Sequence, residues 1–168
     1  HVVRAQYYYE IGGGPFVFLE YVDGGDLGAR IGTQWLTQDL ERVLRLGMQF
    51  CSGMLHASKR GMAVHRDVKP ANCLLTSSGD LKISDFGLVK LFDHEVMSTG
   101  STQTQTGAAM GTPPYMAPEQ FVDYKNVTTA ADVYSFGVML YQMVKGRVPF
   151  DGDTWDAQMN QHLRQRPP

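Results

Sequence analysis

Two runs of aromatic and β-branched residues open the chain, with glycine between them. The runs are VVRAQYYYE and FVFLEYV, and the segment IGGGP separates them. Such runs bounded by glycine are typical of strands, so the pattern predicts a strand, a tight turn and a second strand. The triple glycine resembles a loop that cradles phosphate. It lacks the G-x-G-x-x-G-x-V form, however, and we interpret it as the turn.

Three later segments have the spacing of helices. From Thr37, the expected N-cap, apolar residues recur at helical intervals as far as Lys59, and Gly61 suits the helix end. From Thr128 to Gly146 a second helix is apolar around most of its circumference, which predicts burial in the middle of a domain. The segment DTWDAQMNQHLRQ predicts a last, amphipathic helix.

A short hairpin is predicted from CLLT (73–76) and LKIS (81–84), joined by SSGD. If that turn is symmetric, position i pairs with 157 minus i, so Asn72 faces Asp85. Directly opposed residues lie about 4.5–5.5 Å apart on one face of the pair. An amide oxygen and a carboxylate brought together suit Mg²⁺ that keeps water and phosphate as its other ligands. The alternative is two polar strand-end residues that face water.

Asp67 and Lys69 lie on the loop that leads into this hairpin. A carboxylate can orient a hydroxyl or accept its proton, and an ammonium can neutralise a phosphoryl group during transfer. With Asn72 and Asp85 they form a constellation suited to phosphoryl transfer. The alternative is a solvated loop ion pair between Arg66 and Asp67.

Composition bounds the class of protein. The 168 residues are 43% hydrophobic and 19% charged, which is the balance of one globular domain. The net charge of −2 gives no electrostatic reason to expect nucleic acid. The longest nearly apolar run, at 133–144, is too short to cross a bilayer. Two cysteines without metal or disulfide spacing favour reduced thiols, and we expect this part of the protein to be cytoplasmic.

Three motifs resemble those of the eukaryotic-type protein serine/threonine kinases. HRDVKPAN (65–72), DFG (85–87) and GTPPYMAPE (111–119) are similar to the catalytic loop, the metal-binding motif and the end of the activation segment. The resemblance implies a two-lobed α+β kinase fold, of which the chain would hold the last strands of the small lobe (1–19), the hinge (20–25) and most of the helical large lobe (26–168). It also implies ATP and Mg²⁺ as cofactors and serine or threonine of proteins as the acceptor.

The same resemblance implies a role for each site residue. Asp67 would be the catalytic base, Asn72 and Asp85 would hold Mg²⁺, and Lys69 and Thr112 would mark a serine/threonine kinase, with the Thr112 hydroxyl against Asp67 and Lys69. For ATP, the expected residues are a gatekeeper, two adenine-binding backbone positions, a ribose ligand and a floor: Leu19, Glu20, Val22, Asp26 and Leu74.

Structural and regulatory roles follow in the same way. Asp132 would hydrogen-bond the catalytic-loop backbone, and His65 and Phe86 would be stacked packing residues. Phosphorylation of the polar loop would pair a phosphate with Arg66. The candidate acceptors are Ser98, Thr99, Ser101, Thr102, Thr104 and Thr106.

Some parts of a complete kinase domain have no counterpart in the sequence. These parts are the glycine-rich loop, the ATP-positioning lysine, the regulatory-helix glutamate and an arginine to meet Glu119. We therefore expect that one side of the 128–145 helix is uncovered, and that these 168 residues alone are poorly stable and inactive. Two other functions stay open: a non-catalytic nucleotide-binding or scaffold module, and a small-molecule phosphotransferase, which the GTPPYMAPE segment disfavours.

Overall fold

The computed structural model of the chain describes residues 1–12, 14–62, 64–86 and 112–168. These residues form a mixed α+β arrangement in which two small antiparallel sheets accompany a set of helices. In chain order the elements are β1 (Ala5–Ile11), β2 (Gly14–Leu19), α1 (Gln34–Thr37), α2 (Leu40–Ser58), β3 (Cys73–Leu75), β4 (Leu81–Ile83), α3 (Pro118–Val122), α4 (Thr129–Lys145) and α5 (Trp155–Arg164). No helix in the described part of the chain is long and apolar enough to cross a membrane.

The predicted strand–turn–strand at the start is confirmed. β1 and β2 pair antiparallel, and Ile11 pairs with Gly14 across the glycine turn. Every residue of β1 is exposed, including its three tyrosines. Among the described residues, this hairpin has no layer packed over it.

The start of α2 differs from the prediction. Asp39, rather than Thr37, is the N-cap, and its Oδ1 accepts a hydrogen bond from Arg42 N–H at 2.8 Å. Thr37 is instead the last residue of α1, where its hydroxyl donates to Thr33 O at 3.0 Å. The predicted cap lies two residues too early, because Thr37 and Asp39 are both residue types that favour an N-cap.

The two later helices begin and end as predicted. The Thr128 hydroxyl caps the start of α4 and Gly146 ends it in a left-handed conformation. α5 begins after Thr154, whose hydroxyl accepts a hydrogen bond from Ala157 N–H at 3.1 Å.

The main core lies where α2 and α4 pack with each other and with the β3–β4 hairpin. Phe50 of α2 and Phe136 of α4 stack with ring centroids 4.6 Å apart. One face of α4 is buried, whereas Val133 on its other side is 69% exposed, so the expected uncovered side is present among the described residues. The buried members of this core are Leu27, Leu36, Val43, Leu46, Phe50, Val68, Cys73, Leu75, Leu81, Ile83, Met139 and Met143.

The β3–β4 hairpin is present, but its predicted register is wrong by one residue. Cys73 pairs with Ile83 and Leu75 with Leu81, so Asn72 lies opposite Ser84 rather than Asp85. The reason is an asymmetric three-residue turn between Thr76 and Asp80, in which Gly79 has φ of +81°. A left-handed glycine at the end of a type I turn is a common hairpin geometry, and it moves the turn centre to Ser78.

Candidate active site

The loop at 64–72 is anchored to α4 by one buried carboxylate. Asp132 Oδ2 accepts a hydrogen bond from His65 N–H, and Oδ1 accepts one from Arg66 N–H, each at 2.8 Å. Burial raises the pKa of Asp132, and these two N–H donors oppose that rise. The hydrogen bonds predicted for Asp132 are therefore present, and they hold Arg66 in a left-handed conformation with φ of +72°.

The ring of His65 is fully engaged with its surroundings. Its Nε2 lies 2.8 Å from Ser84 O, and its Nδ1 accepts a hydrogen bond from Asp67 N–H at 3.3 Å. Because a carbonyl can only accept, Nε2 carries the proton and the ring is the neutral tautomer. The ring also packs on Phe86 with centroids 4.7 Å apart. His65 is thus a packing residue, as the sequence analysis expected.

The carboxylate of Asp67 is the centre of a cluster of donors. Lys69 Nζ lies 2.6 Å from Oδ2, and Asn72 Nδ2 donates to the same oxygen at 3.1 Å. The other oxygen, Oδ1, accepts the Thr112 hydroxyl at 3.0 Å, and Lys69 Nζ donates to Thr112 Oγ1 at 2.7 Å. The contacts predicted between Thr112 and both residues are present. About a quarter of the Asp67 side chain is open to solvent, so a substrate hydroxyl can reach it.

Ser84 lies between Asn72, which faces it across the hairpin, and Asp85, which follows it in the chain. Asn72 Nδ2 donates hydrogen bonds to Asp67 O at 2.8 Å and to the Asp67 carboxylate. The other polar atom of the Asn72 amide, Oδ1, is an acceptor. The Ser84 hydroxyl lies 3.2 Å from both Asn72 O and Asp85 Oδ2. Asp85 itself has φ of +61°, a conformation that few non-glycine residues adopt.

This donor set fits Mg²⁺. An amide oxygen and a carboxylate, with the remaining positions open to water and phosphate, are what this cation accepts at phosphate sites. The described residues hold no cluster of three or more His, Cys, Asp or Glu that would make a closed, all-protein metal cage. Sequence reasoning missed Ser84, because nothing in the sequence separates this serine from any other at a strand end.

The segment predicted as the hinge (20–25) follows β2 in the chain, and its last residues lie beside β3. Leu19 ends β2, and the side chain of Glu20 accepts hydrogen bonds from Lys82 Nζ at 2.6 Å and from Arg4 N–H at 2.8 Å. These contacts, led by the one from Lys82, lower the pKa of Glu20. This ion pair could not be predicted, because Glu20 and Lys82 are 62 residues apart in sequence. The side chain of Glu20 therefore ties the start of this segment to Lys82 of β4.

The end of this segment pairs with β3. Gly24 N–H donates to Leu75 O at 2.7 Å, and Asp26 forms an antiparallel bridge with Leu74. Asp26 Oδ1 accepts a hydrogen bond from Ala29 N–H at 3.1 Å. Asp26 and Leu74, predicted as ribose ligand and adenine floor, are thus neighbours, whereas their roles stay predictions.

The predicted phosphoacceptors all fall outside the described residues. They are Ser98, Thr99, Ser101, Thr102, Thr104 and Thr106. Their predicted partner Arg66 is described, and its backbone lies directly before Asp67. The proposed pairing of a phosphate with Arg66 stays a prediction.

The fold and the site define a protein kinase domain of the α+β class. Residues 1–167 match the family model described as "Protein kinase domain". The chain belongs to this family, which confirms the predicted fold.

Curated relatives agree with this assignment. The chain is 37% identical over 155 residues to a protein of Streptomyces coelicolor named "Probable serine/threonine-protein kinase", with 91% of this chain and 22% of that protein covered. It is 37% identical over 158 residues to the serine/threonine-protein kinase Pkn1 of Myxococcus xanthus, with 92% and 21% covered. It is 35% identical over 153 residues to the serine/threonine-protein kinase PknB of Mycolicibacterium smegmatis, with 91% and 23% covered. The chain therefore spans 21–23% of the length of these three relatives.

Proposed function

We propose that the protein is an ATP-dependent protein serine/threonine kinase whose catalytic carboxylate is Asp67. The observation that carries this proposal is the cluster of Lys69, Asn72 and Thr112 around that carboxylate. A carboxylate held by three donors keeps one orientation, and positioning dominates the chemistry of phosphoryl transfer. The names of the relatives support the same activity.

In the proposed reaction, the hydroxyl oxygen of a protein serine or threonine attacks the γ-phosphorus of ATP. The new O–P bond forms, the bond between the γ-phosphorus and the β–γ bridging oxygen breaks, and ADP leaves. Asp67 orients the hydroxyl and takes its proton, while the ammonium of Lys69 neutralises charge on the transferred group. Thr112 holds the side chains of Asp67 and Lys69 in place through its two hydrogen bonds.

Asn72 and Asp85 would hold Mg²⁺ in this site. The bound cation would neutralise charge on the ATP phosphates. The carboxylate of Asp85 is kept beside Asn72 by the Ser84 hydroxyl. Leu19, Glu20 and Val22 would border the adenine, because they lie in the segment that joins the two sheets.

Serine or threonine, rather than tyrosine, is the proposed acceptor. The support is the pair formed by Lys69 and Thr112, the two residue types that the kinase resemblance associates with serine/threonine acceptors, which contact each other at 2.7 Å. We also propose a cytoplasmic location for the kinase portion, where ATP is supplied. Its cysteines, Cys51 and Cys73, are both unpaired, which fits a reducing compartment.

The test is phosphoryl transfer by the full-length protein from radiolabelled ATP to casein. We expect transfer that requires Mg²⁺ and yields phosphoserine or phosphothreonine. Asp67→Asn should lower kcat by about 10²–10⁴-fold, which is the usual contribution of a general base. Asp153→Asn, at an exposed position, serves as the matched control and should leave kcat unchanged.

Two results would contradict the proposal. ATP binding without any transfer by the wild-type protein would favour a scaffold module, and phosphotyrosine as the product would overturn the acceptor. The isolated 168 residues belong in the same experiment, because their inactivity is a separate prediction.

A further inference from the structure

Gln120 joins the segment that follows Thr112 to the catalytic loop. It lies in α3 and is only 4% exposed. Its Oε1 accepts a hydrogen bond from Ala117 N–H at 2.9 Å, and its Nε2 donates to Arg66 O at 2.9 Å. A backbone N–H needs an acceptor and a backbone carbonyl needs a donor, so only one orientation of the amide satisfies both partners.

The carbonyl that Gln120 holds belongs to an unusual residue. Arg66 has φ of +72°, a left-handed conformation that a side chain such as arginine seldom adopts. Its N–H is bound by Asp132 of α4 and its carbonyl by Gln120 of α3. Two side chains from two helices thus fix both polar backbone groups of this one residue.

The peptide bond formed by that carbonyl leads directly to Asp67. A rotation of this peptide would carry away the Asp67 N–H, which donates to His65 Nδ1. It would also move the carboxylate away from Lys69 and Thr112. The hydrogen bond to Arg66 O therefore acts on the orientation of the carboxylate, although Gln120 itself does not touch it.

We propose that Gln120 is a positioning residue for Asp67, and that it couples the segment at 112–122 to the catalytic loop. The inference rests on the proposed kinase activity. Thr112 donates to the side chain of Asp67, and Gln120 donates to the carbonyl of the preceding residue, Arg66. A single segment therefore holds the proposed catalytic residue through two hydrogen bonds. Displacement of this segment would release both contacts together.

The chain offers a matched control in Gln49. Its Oε1 accepts a hydrogen bond from Leu81 N–H at 2.8 Å, and its Nε2 donates to Asp80 Oδ1 at 2.7 Å. Like Gln120, it accepts from a backbone N–H and donates to an oxygen, here that of the Asp80 carboxylate, but it does so between α2 and the far end of the β3–β4 hairpin. Gln49→Met therefore removes two hydrogen bonds of an amide without touching the catalytic loop.

The experiment compares Gln120→Met with Gln49→Met in the full-length kinase. We expect Gln120→Met to lower kcat by about 10–100-fold, the cost of a slightly misplaced catalytic group, while KM for ATP stays within about twofold. Gln49→Met should keep kcat within about twofold, even where its melting temperature falls. Equal kcat in the two variants would overturn the inference.

Gln120→Glu adds a readout that a purely structural role would not move. A protonated carboxyl can accept from Ala117 N–H and donate to Arg66 O, whereas an ionised one sets an oxygen against that carbonyl. Burial raises the pKa of a carboxyl above its usual value, so the protonated form gains as the pH of the kinase assay is lowered. The titratable and charged groups on the catalytic loop, α3, α4 and the packed helix α5 are the same in every variant; those nearest in the fold are Arg66, Asp67, Lys69, Glu119, Asp132 and His162. We therefore expect kcat of Gln120→Glu relative to wild type to rise as pH falls.

A pH-independent ratio would contradict the inference, even if Gln120→Met failed to fold. The two proposals fail differently. A wild-type protein without transfer activity overturns the proposed function, whereas an active wild type with unaffected Gln120 variants overturns only the role of Gln120.

Discussion

The hydroxyl of Thr112 donates to Asp67 Oδ1 at 3.0 Å, across 45 positions of sequence. The same oxygen atom of Thr112 accepts a hydrogen bond from Lys69 Nζ at 2.7 Å. One hydroxyl therefore uses both its donor and its acceptor capacity on the two residues assigned to proton and phosphoryl chemistry. The arrangement makes Asp67 depend on a segment that is remote in sequence.

This dependence predicts the effect of Thr112→Val, which keeps the shape of the side chain but removes the hydroxyl. A hydrogen bond to a charged group contributes about 1.5–3 kcal/mol, so kcat should fall by roughly 10–150-fold. Thr112→Ser keeps the hydroxyl and should stay within about threefold of wild type. Steady-state kinetics of the full-length protein measures both variants, and equal kcat for Thr112→Val and Thr112→Ser would contradict the prediction.

The helix ends show what the sequence could predict. α4 begins after Thr128 and ends before Gly146 because each boundary is set by a local capping residue. The start of α2 lies two residues later than predicted, because Thr37 and Asp39 both favour an N-cap and Thr37 is used to end the short helix at 34–37. Local signals thus sufficed where one capping residue stood alone, and failed where two candidate caps lie two residues apart.

The candidate site shows a similar division. Asp67, Lys69 and Thr112 were predicted from motifs whose residue order is itself the signal, and their contacts are present. The register of β3 and β4 was wrong because it depended on the left-handed Gly79. The link that Gln120 makes could not be predicted, because Arg66 O comes near Ala117 only when α3 packs beside the loop at 64–72.

A side chain at position 24, in the segment predicted as the hinge, would meet a steric limit. A Cβ added there would lie 2.4 Å from Leu75 O and 2.6 Å from Thr76 O, which are backbone atoms that cannot rotate away. Gly24 N–H also donates to Leu75 O, so the strand pairing would have to open. Gly24→Ala should lower the free energy of unfolding by about 1–3 kcal/mol, as overpacking does, and raise KM for ATP.

Gly137→Ala is the matched control for this substitution. A Cβ at position 137 meets no atom within 4 Å, and the position lies inside α4. Alanine in a helix is favoured over glycine, so this variant should gain about 0.5–1 kcal/mol. Urea unfolding of the full-length protein measures both changes. The steric argument would be refuted if Gly24→Ala were as stable as wild type.

His162 predicts a pH dependence of stability. This residue is 5% exposed, and its Nδ1 lies 2.8 Å from the hydroxyl of Tyr134. Aromatic rings surround it, with the centroid of Phe150 at 4.9 Å and that of Phe121 at 5.6 Å. This burial lowers the pKa of His162 below its usual value of 6.5. Burial also raises the pKa of Tyr134, with a further contribution from Glu119, so the phenol keeps its proton and donates it to Nδ1.

The direction follows from which state binds more protons. Between the lowered pKa of folded His162 and the value of 6.5, the unfolded chain binds more protons than the folded chain. The stability that His162 provides is therefore complete above about pH 6.5 and is lost as the pH falls towards the folded-state pKa. We expect the melting temperature of the wild-type protein to fall between pH 7.5 and pH 5.5.

The double variant His162→Phe with Tyr134→Phe isolates this contribution. It fills the same aromatic space, removes the titrating ring and leaves no phenol without its partner. Its melting temperature should fall less than that of the wild type over the same pH interval, because the other histidines contribute equally to both proteins. Differential scanning calorimetry at pH 7.5, 6.5 and 5.5 makes the comparison. Parallel declines in the two proteins would mean that protonation of His162 does not control unfolding.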